Sequence, residues 1–228
     1  MSMPFYVSPE QVMKDRADYA RKGIARGRSL VALEYANGIA IVAENPSGTL
    51  YKIAEIYERI AFAAVGKYSE FENLRIAGVR LADLRGYSYG REDVTAKSLA
   101  NAYSQGLASI FTEQLKPYEV EILVAQVGER PEDNELFHIL YDGSVTDEDG
   151  FVAMGGESDP LKERLSAAYR PGLGLEEALQ VGVDALTAED GERPEAGRLE
   201  VAVLDRTRPP RRKFRRLSDD ELAGILRA

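Results

Sequence analysis

The sequence predicts an α+β protein in which two antiparallel sheets lie face to face, with a pair of helices covering each outer side. Three observations predict it. Strand-like runs come in groups joined by hairpin signals, which argues for antiparallel neighbours rather than a parallel βαβ sheet. Amphipathic helical patterns come as two successive pairs, and a sheet sandwich with helices outside would bury all four of them. The 228 residues contain no internal repeat and no Pro/Ser-rich linker, a length that suits one large domain.

The elements follow in order. Ser8-Pro9-Glu10-Gln11 is a helix start. Ser8 can cap the free amides, Pro9 fits the first helical position, and Gln11 completes a capping box. Met13, Ala17, Ala20 and Ile24 form a narrow stripe at helical spacing, and Gly27 is the predicted stop. A stripe of such small residues suits packing onto another surface. Ahead of it, Met1 to Val7 form a short, mostly apolar arm.

Ser29–Tyr35 and Ile39–Glu44 are aliphatic runs around Asn37-Gly38, the strongest hairpin signal in the chain. After the Asn45–Gly48 loop, Tyr51–Ile56 and Arg59–Val65 read as strands. Helices are predicted from Lys67 to Leu84, with Phe71, Leu74, Gly78 and Leu81 on one face, and from near Asp93, with Leu99, Tyr103, Leu107, Ile110 and Gln114 on one face. Strand character returns at Val120–Val127, Glu135–Tyr141 and Phe151–Met154, with a turn at Asp142-Gly143. Shorter helices at Pro160–Tyr169 and Leu175–Thr187 precede a strand at Leu199–Asp205. Phe214–Leu217 reads as the last strand, and Ser218-Asp219-Asp220-Glu221 is a second capping box opening a terminal helix.

Composition narrows the function. Twenty-nine Lys and Arg against 38 Asp and Glu give a net charge of −9, which excludes a generally cationic nucleic-acid coat. With no cysteine there is no thiol nucleophile, thiolate metal site or disulfide framework. One histidine, His138, makes triad and multi-histidine metal chemistry improbable; mid-strand, it reads as a hydrogen-bonded structural residue. Asp147-Glu148-Asp149 reads as a solvated turn. Arg206 to Arg216 is the single basic patch, read as an edge strand with outward charges or an ion-pair contact with a neighbour, and less readily as a nucleic-acid site. No run approaches the roughly 18 apolar residues of a membrane span and no signal peptide is evident, so a cytoplasmic location without membrane or nucleic-acid partners is expected.

Several segments carry a family resemblance: Ser8-Pro9-Glu10, Tyr19 to Gly27, Tyr35-Ala36-Asn37-Gly38-Ile39, Tyr51-Lys52-Ile53, Lys116 to Glu121, and Gly155-Gly156 between a strand and a helix. In that order and spacing, from about residue 4 to the end, the chain resembles the proteasome α subunits of the bacterial, actinobacterial branch. The resemblance implies a four-layer αββα sandwich of the N-terminal-nucleophile-hydrolase type with an added N-terminal helix. Residues 1–7 would be a gating arm, 8–27 the helix and 28–228 the sandwich. Seven copies would form each outer ring of a barrel, template β subunits, and receive a ring-shaped ATPase that feeds in protein substrates bearing a small ubiquitin-like tag.

It also implies roles for residues. Met3, Pro4, Phe5, Tyr6 and Val7 match the arm that plugs the pore. Met3-Pro4-Phe5-Tyr6 stands where archaeal and eukaryotic arms carry Tyr-Asp-Arg, so this arm would close by hydrophobic clustering. Ser8, Pro9 and Tyr19 match the turn and the tyrosine that hold the arm open, and Lys52 matches the lysine that pairs with the C-terminal carboxylate of the ATPase. Catalysis is not expected. In the related β subunits, processing exposes a threonine whose own amine serves as base; here Gly27-Arg28-Ser29 occupies that place, and cleavage would discard the capped helix. The Gly48-Thr49 pair reads as a turn. Glu44 and Lys52 fall where the β-type acid and lysine would sit. No cofactor or metal is implied. The rival readings are a freestanding amidohydrolase of the same fold, and a nucleic-acid module using Arg211 to Arg216.

Overall fold

Leu30–Tyr35 (β1) and Gly38–Glu44 (β2) pair along their whole length, from Leu30 opposite Ala43 to Tyr35 opposite Gly38. Around them Phe151–Met154 (β8), Leu199–Asp205 (β9) and Phe214–Arg216 (β10) complete one antiparallel sheet in the order β10-β9-β2-β1-β8. Ile53–Tyr57 (β3), Ile60–Gly66 (β4), Val120–Gln126 (β5), Glu135–Ile139 (β6) and Val145–Asp147 (β7) make the second, in chain order. This computed structural model describes residues 8–156, 158–187, 193–209 and 211–227; the arm at residues 1–7 lies outside them.

Residue alternation sets the layers. Leu30, Ala32, Ile39 and Ile41 meet Ile53, Ala61, Ala63 and Leu123 between the sheets. Alternate residues of the same strands, such as Val31 and Val42, pack outward on Leu161, Leu165, Leu179 and Val183 of helices Ser158–Ala168 (α4) and Leu175–Ala185 (α5). On the other side Phe62, Ile122 and Val124 pack on Phe71, Leu74, Leu99 and Leu107 of Tyr68–Ser88 (α2) and Ala96–Glu113 (α3). Both faces of each sheet are covered, which is why its central strands are continuously apolar. The terminal helix Asp219–Arg227 (α6) packs on α5. The first helix, Pro9–Ile24 (α1), lies across one end of the sandwich against β4 and β5, inserting Ala20 and Ile24 into the layer between the sheets. The four-layer expectation holds.

Four details differ from the sequence reading. The hairpin loop is Ala36-Asn37, one residue earlier than the Asn-Gly signal implies, and neither residue has a positive φ. Gly38 is needed for a different reason: a Cβ there would stand 1.8 Å from the Leu204 carbonyl oxygen on β9. The capping boxes are half-formed. Ser8 Oγ accepts from the Gln11 amide at 3.2 Å, but the Gln11 side chain turns to Asp15; Ser218 Oγ accepts from the Glu221 amide at 3.3 Å, while the Glu221 carboxylate takes Arg215. Strand β7 went unpredicted because its three residues are all exposed and show no apolar pattern, and it ends on Asp147, inside the segment expected to be a turn. Helix α2 runs on to Ser88, its last turns carrying exposed Leu84 and Tyr87 that contribute nothing to a buried stripe.

Candidate functional site

Lys52 immediately precedes β3, at the end of the sandwich that α1 covers. Its Nζ donates to the Arg28 carbonyl oxygen at 2.7 Å, so the lysine is anchored to the peptide chain that leaves α1. Burial lowers the Lys52 pKa from 10.5 to about 8, Arg28 pushes the same way, and the carboxylates of Glu200 and Glu44 offset part of the fall. Glu44, the last residue of β2, pairs with Arg28 and stands 3.5 Å from the Arg198 guanidinium. Arg28, Ser29, Glu44, Arg164, Arg193 and Arg198 line a groove of 430 Å³ beside it. The expected acid and lysine are therefore brought to one place. What faces them is the uninterrupted Arg28-Ser29 backbone rather than an amine-bearing nucleophile.

The second cluster is built on α1. Pro9 occupies its first turn behind the Ser8 cap, and Tyr19, 48% exposed, lies three turns along. Lys116 Nζ is 5.4 Å from the Tyr19 ring centroid and bonds both Glu70 and Glu119 at 2.7 Å. Burial pulls the Lys116 pKa down, but those two carboxylates outweigh it and leave the ammonium above its ordinary value. Glu70, nearly buried at the start of α2, also accepts the Glu119 amide at 2.7 Å. The Lys116-Pro117-Tyr118-Glu119 segment is thus pinned under α1. Tyr19, Val12, Arg16, fully exposed Leu115 and Pro117 line an open groove on the outer side of the helix.

Comparison with known proteins bears on what this end of the molecule is. The model of the proteasome subunit family matches residues 24–204. The chain belongs to the proteasome subunit family. Among curated relatives, "proteasome subunit alpha" of Kineococcus radiotolerans is 61% identical over 99% of this chain and 98% of its own length. The protein of that name from Xylanimonas cellulosilytica is 63% identical over 95% and 93%, and the one from Thermobifida fusca 58% identical over 99% and 91%. These relatives place the chain with the α subunits of the actinobacterial proteasome core.

Other residues of this proteasome-family chain fall as follows. Met3 to Val7 lie outside the described residues. Gly48-Thr49 is an exposed bend, with Ser47 Oγ accepting the Leu50 amide at 3.1 Å. The basic segment does form an edge strand at β10, but several of its charges are used within the chain: Arg212 on Glu55, Arg215 on Glu221, Arg216 on Glu200, and Arg206 on the Gly128 carbonyl. His138 departs from the expectation of a satisfied residue. Its Nε2 is buried without a hydrogen bond, 3.5 Å from Glu121, with Glu148 3.9 Å from the other ring nitrogen. Sequence reasoning passed over Glu200 and Glu70, and gave Arg28 no role beyond its place before the first strand. Glu200 carried a signal, a carboxylate set between apolar residues in a strand of a sheet covered on both faces, where an unpaired charge is costly.

Proposed function

We propose that this chain is a non-catalytic subunit of the outer rings of a 20S core, assembled as homo-heptamers on β rings, gating the access of substrate proteins and docking the C-termini of a ring-shaped ATPase. One observation carries the non-catalytic part. The Lys52 ammonium, which a proteolytic relative would turn on its N-terminal nucleophile, is hydrogen-bonded to a peptide carbonyl in mid-chain, with the whole of α1 upstream. A hydroxyl there has no neighbouring free amine to act as base.

Docking follows from the same geometry. An ammonium has three donors, and one is used on Arg28, which leaves capacity for an incoming carboxylate. Arm residues 1–7 are attached at the Ser8 cap, so whatever shifts α1 or the chain leaving it at Arg28 shifts the arm. A tail bound at Lys52 would favour the open arrangement by its differential contacts. Residues 8–27 then serve as the lever and 28–228 as the body. Among the described residues no helix is long and apolar enough to cross a membrane, and the particle would work in the cytoplasm on tagged proteins.

The test is co-expression with candidate β subunits, particle imaging, and peptide hydrolysis with and without residues 2 to 7. Deletion should speed peptide hydrolysis by assembled particles, and Lys52→Ala should abolish stimulation by the ATPase. An unchanged rate on deletion removes the plug; hydrolysis by the isolated chain, from a shortened amino terminus, restores the amidohydrolase rival.

A further inference from the structure

Glu200 is the most heavily used carboxylate in the described structure. It is 6% exposed on β9, faces the second sheet, and receives four different groups. Asn45 Nδ2 lies at 2.7 Å, the Lys52 backbone amide at 2.8 Å, the Ile53 amide at 3.0 Å, and the Arg216 guanidinium completes the set. All four are donors, so only an acceptor-only, ionised carboxylate satisfies them.

Two of the donors are successive backbone amides, and holding both fixes the orientation of the chain as it enters β3. Ile53 then goes to the core between the sheets and its neighbour Lys52 turns the other way, to the Arg28 carbonyl. Arg216 reinforces the same point. Its register opposite Ala202 puts it on the face of β9 that carries Glu200, its second nitrogen donates to the Ile53 carbonyl at 2.7 Å, and its guanidinium stacks 4.1 Å from the Tyr51 ring centroid. Asn45 extends the wiring into the loop, donating to the Leu50 carbonyl at 2.8 Å and accepting the Ser47 amide at 3.0 Å.

We propose that Glu200, braced by Arg216 and Asn45, is the positioning residue of the docking lysine: it sets the direction in which the Lys52 ammonium meets the terminal carboxylate of an incoming peptide. This rests on the reading of Lys52 as the docking residue. It also gives the basic edge strand a role, since β10 is the element that carries Arg216 to Glu200.

The test uses core particles assembled with β subunits and carrying wild-type, Lys52→Ala, Glu200→Gln or Arg216→Met α chains. The probe is a synthetic peptide with the C-terminal sequence of the cognate ATPase, as free carboxylate and as amide. Glu200→Gln turns an amide donor against donors and should weaken the carboxylate probe about tenfold, as one unsatisfied buried donor does. Arg216→Met, which keeps the stem over Tyr51, should weaken it less, and the amide probe should bind all four particles alike.

A second readout is the pH midpoint of Lys52 acylation by an activated acetyl ester, followed by mass spectrometry. Loss of the Glu200 charge should move that midpoint down, whereas a general loosening would admit water to the amine and move it up, toward the ordinary value. If Lys52→Ala weakens binding while both other variants bind as wild type with an unmoved midpoint, the positioning role is overturned and docking stands. If Lys52→Ala itself binds normally, docking fails and the acylation midpoint alone decides whether Glu200 holds the amine. Should Glu200→Gln not assemble, Arg216→Met decides.

Discussion

The two ends of the sandwich are held together in different ways. At the α1 end, carboxylates are buried and each gathers several donors: Glu200 takes four groups, and Glu70 takes Lys116 together with the Glu119 amide. At the opposite end, where the hairpin tips at residues 36–37 and 57–60 meet the loop 128–134 and residues 206–209 and 211–213, a cleft of 860 Å³ is lined by charges paired near the surface. Arg130 lies 2.9 Å from Asp133 and Arg59 3.3 Å from Glu129; Arg130 and Glu129 stand well out in solvent, while Arg59 is half-buried. What closes that end is backbone fit. Gly38 lies against the Leu204 carbonyl, and a Cβ on Gly128 would stand 2.4 Å from the Asp133 carbonyl carbon. Arg206 does cross between the sheets there, but its Nε and the Nδ2 of Asn134 are buried without partners. Size of cavity is therefore a poor guide to the site. Buried carboxylates order the chain around Lys52, whereas exposed pairs order little.

The contrast predicts that shape matters most at the far end and charge most at the α1 end. Gly38→Ala should have the largest effect. The new methyl meets backbone in the centre of a sheet, not a movable side chain, so β2 and β9 must part at a cost of about 3 kcal/mol or more. Urea unfolding measures it, and a wild-type midpoint would mean that the β2–β9 register does not set the hairpin. Glu70→Ala should come next, at about 1–3 kcal/mol, because the Glu119 amide loses its acceptor while partly exposed Lys116 can turn to water or to Glu119. Hydrogen exchange should show residues 116–119 opening first. If protection is lost evenly over the whole sandwich, the carboxylate is not a local organiser.

The same contrast explains what the sequence disclosed. The layers were legible because both faces of β1, β2, β4 and β5 are buried and the helix stripes carry their own period. Lys52 was legible only through the family pattern around it, since its partner is the carbonyl of Arg28, a group every residue has. Glu200 and Glu70 were overlooked because their donors come from residues 45, 52, 53, 116, 119 and 216, which only the folded chain brings together. Strand β7 has no apolar signal at all and exists by pairing with β6. Asn37-Gly38 located the hairpin correctly for the wrong reason, a contact with β9 more than 160 residues away in sequence rather than a turn preference.

Titration should separate the two consequences of burying Lys52. Its folded pKa, about 8, lies below the ordinary 10.5, so between those values the folded chain has released a proton that the unfolded chain keeps. Stability should therefore rise with pH across that window, the burden of the buried cation being complete below it. Binding of a carboxylate probe should move oppositely, weakening above pH 8 as the ammonium is lost. Lys52→Met should flatten both curves. Parallel curves, or a wild-type stability that falls through the window, would mean that the amine is solvated and that the α1 end is not dry enough to tune it.

The smallest expected effect is at the far end. Arg130→Ala removes a guanidinium that makes two hydrogen bonds of 2.9 Å to Asp133, both side chains standing well out in solvent. Water replaces the lost bonds and Asp133 remains hydrated, so the urea midpoint and the rate of peptide admission should match wild type. The loop keeps its course through the Asp133 and Asn134 amides, which bond the Arg130 and Pro131 carbonyls at 3.1 and 3.2 Å. A clear loss of stability in this variant would show that charge organises both ends alike, and the contrast that singles out the Lys52 end would go with it.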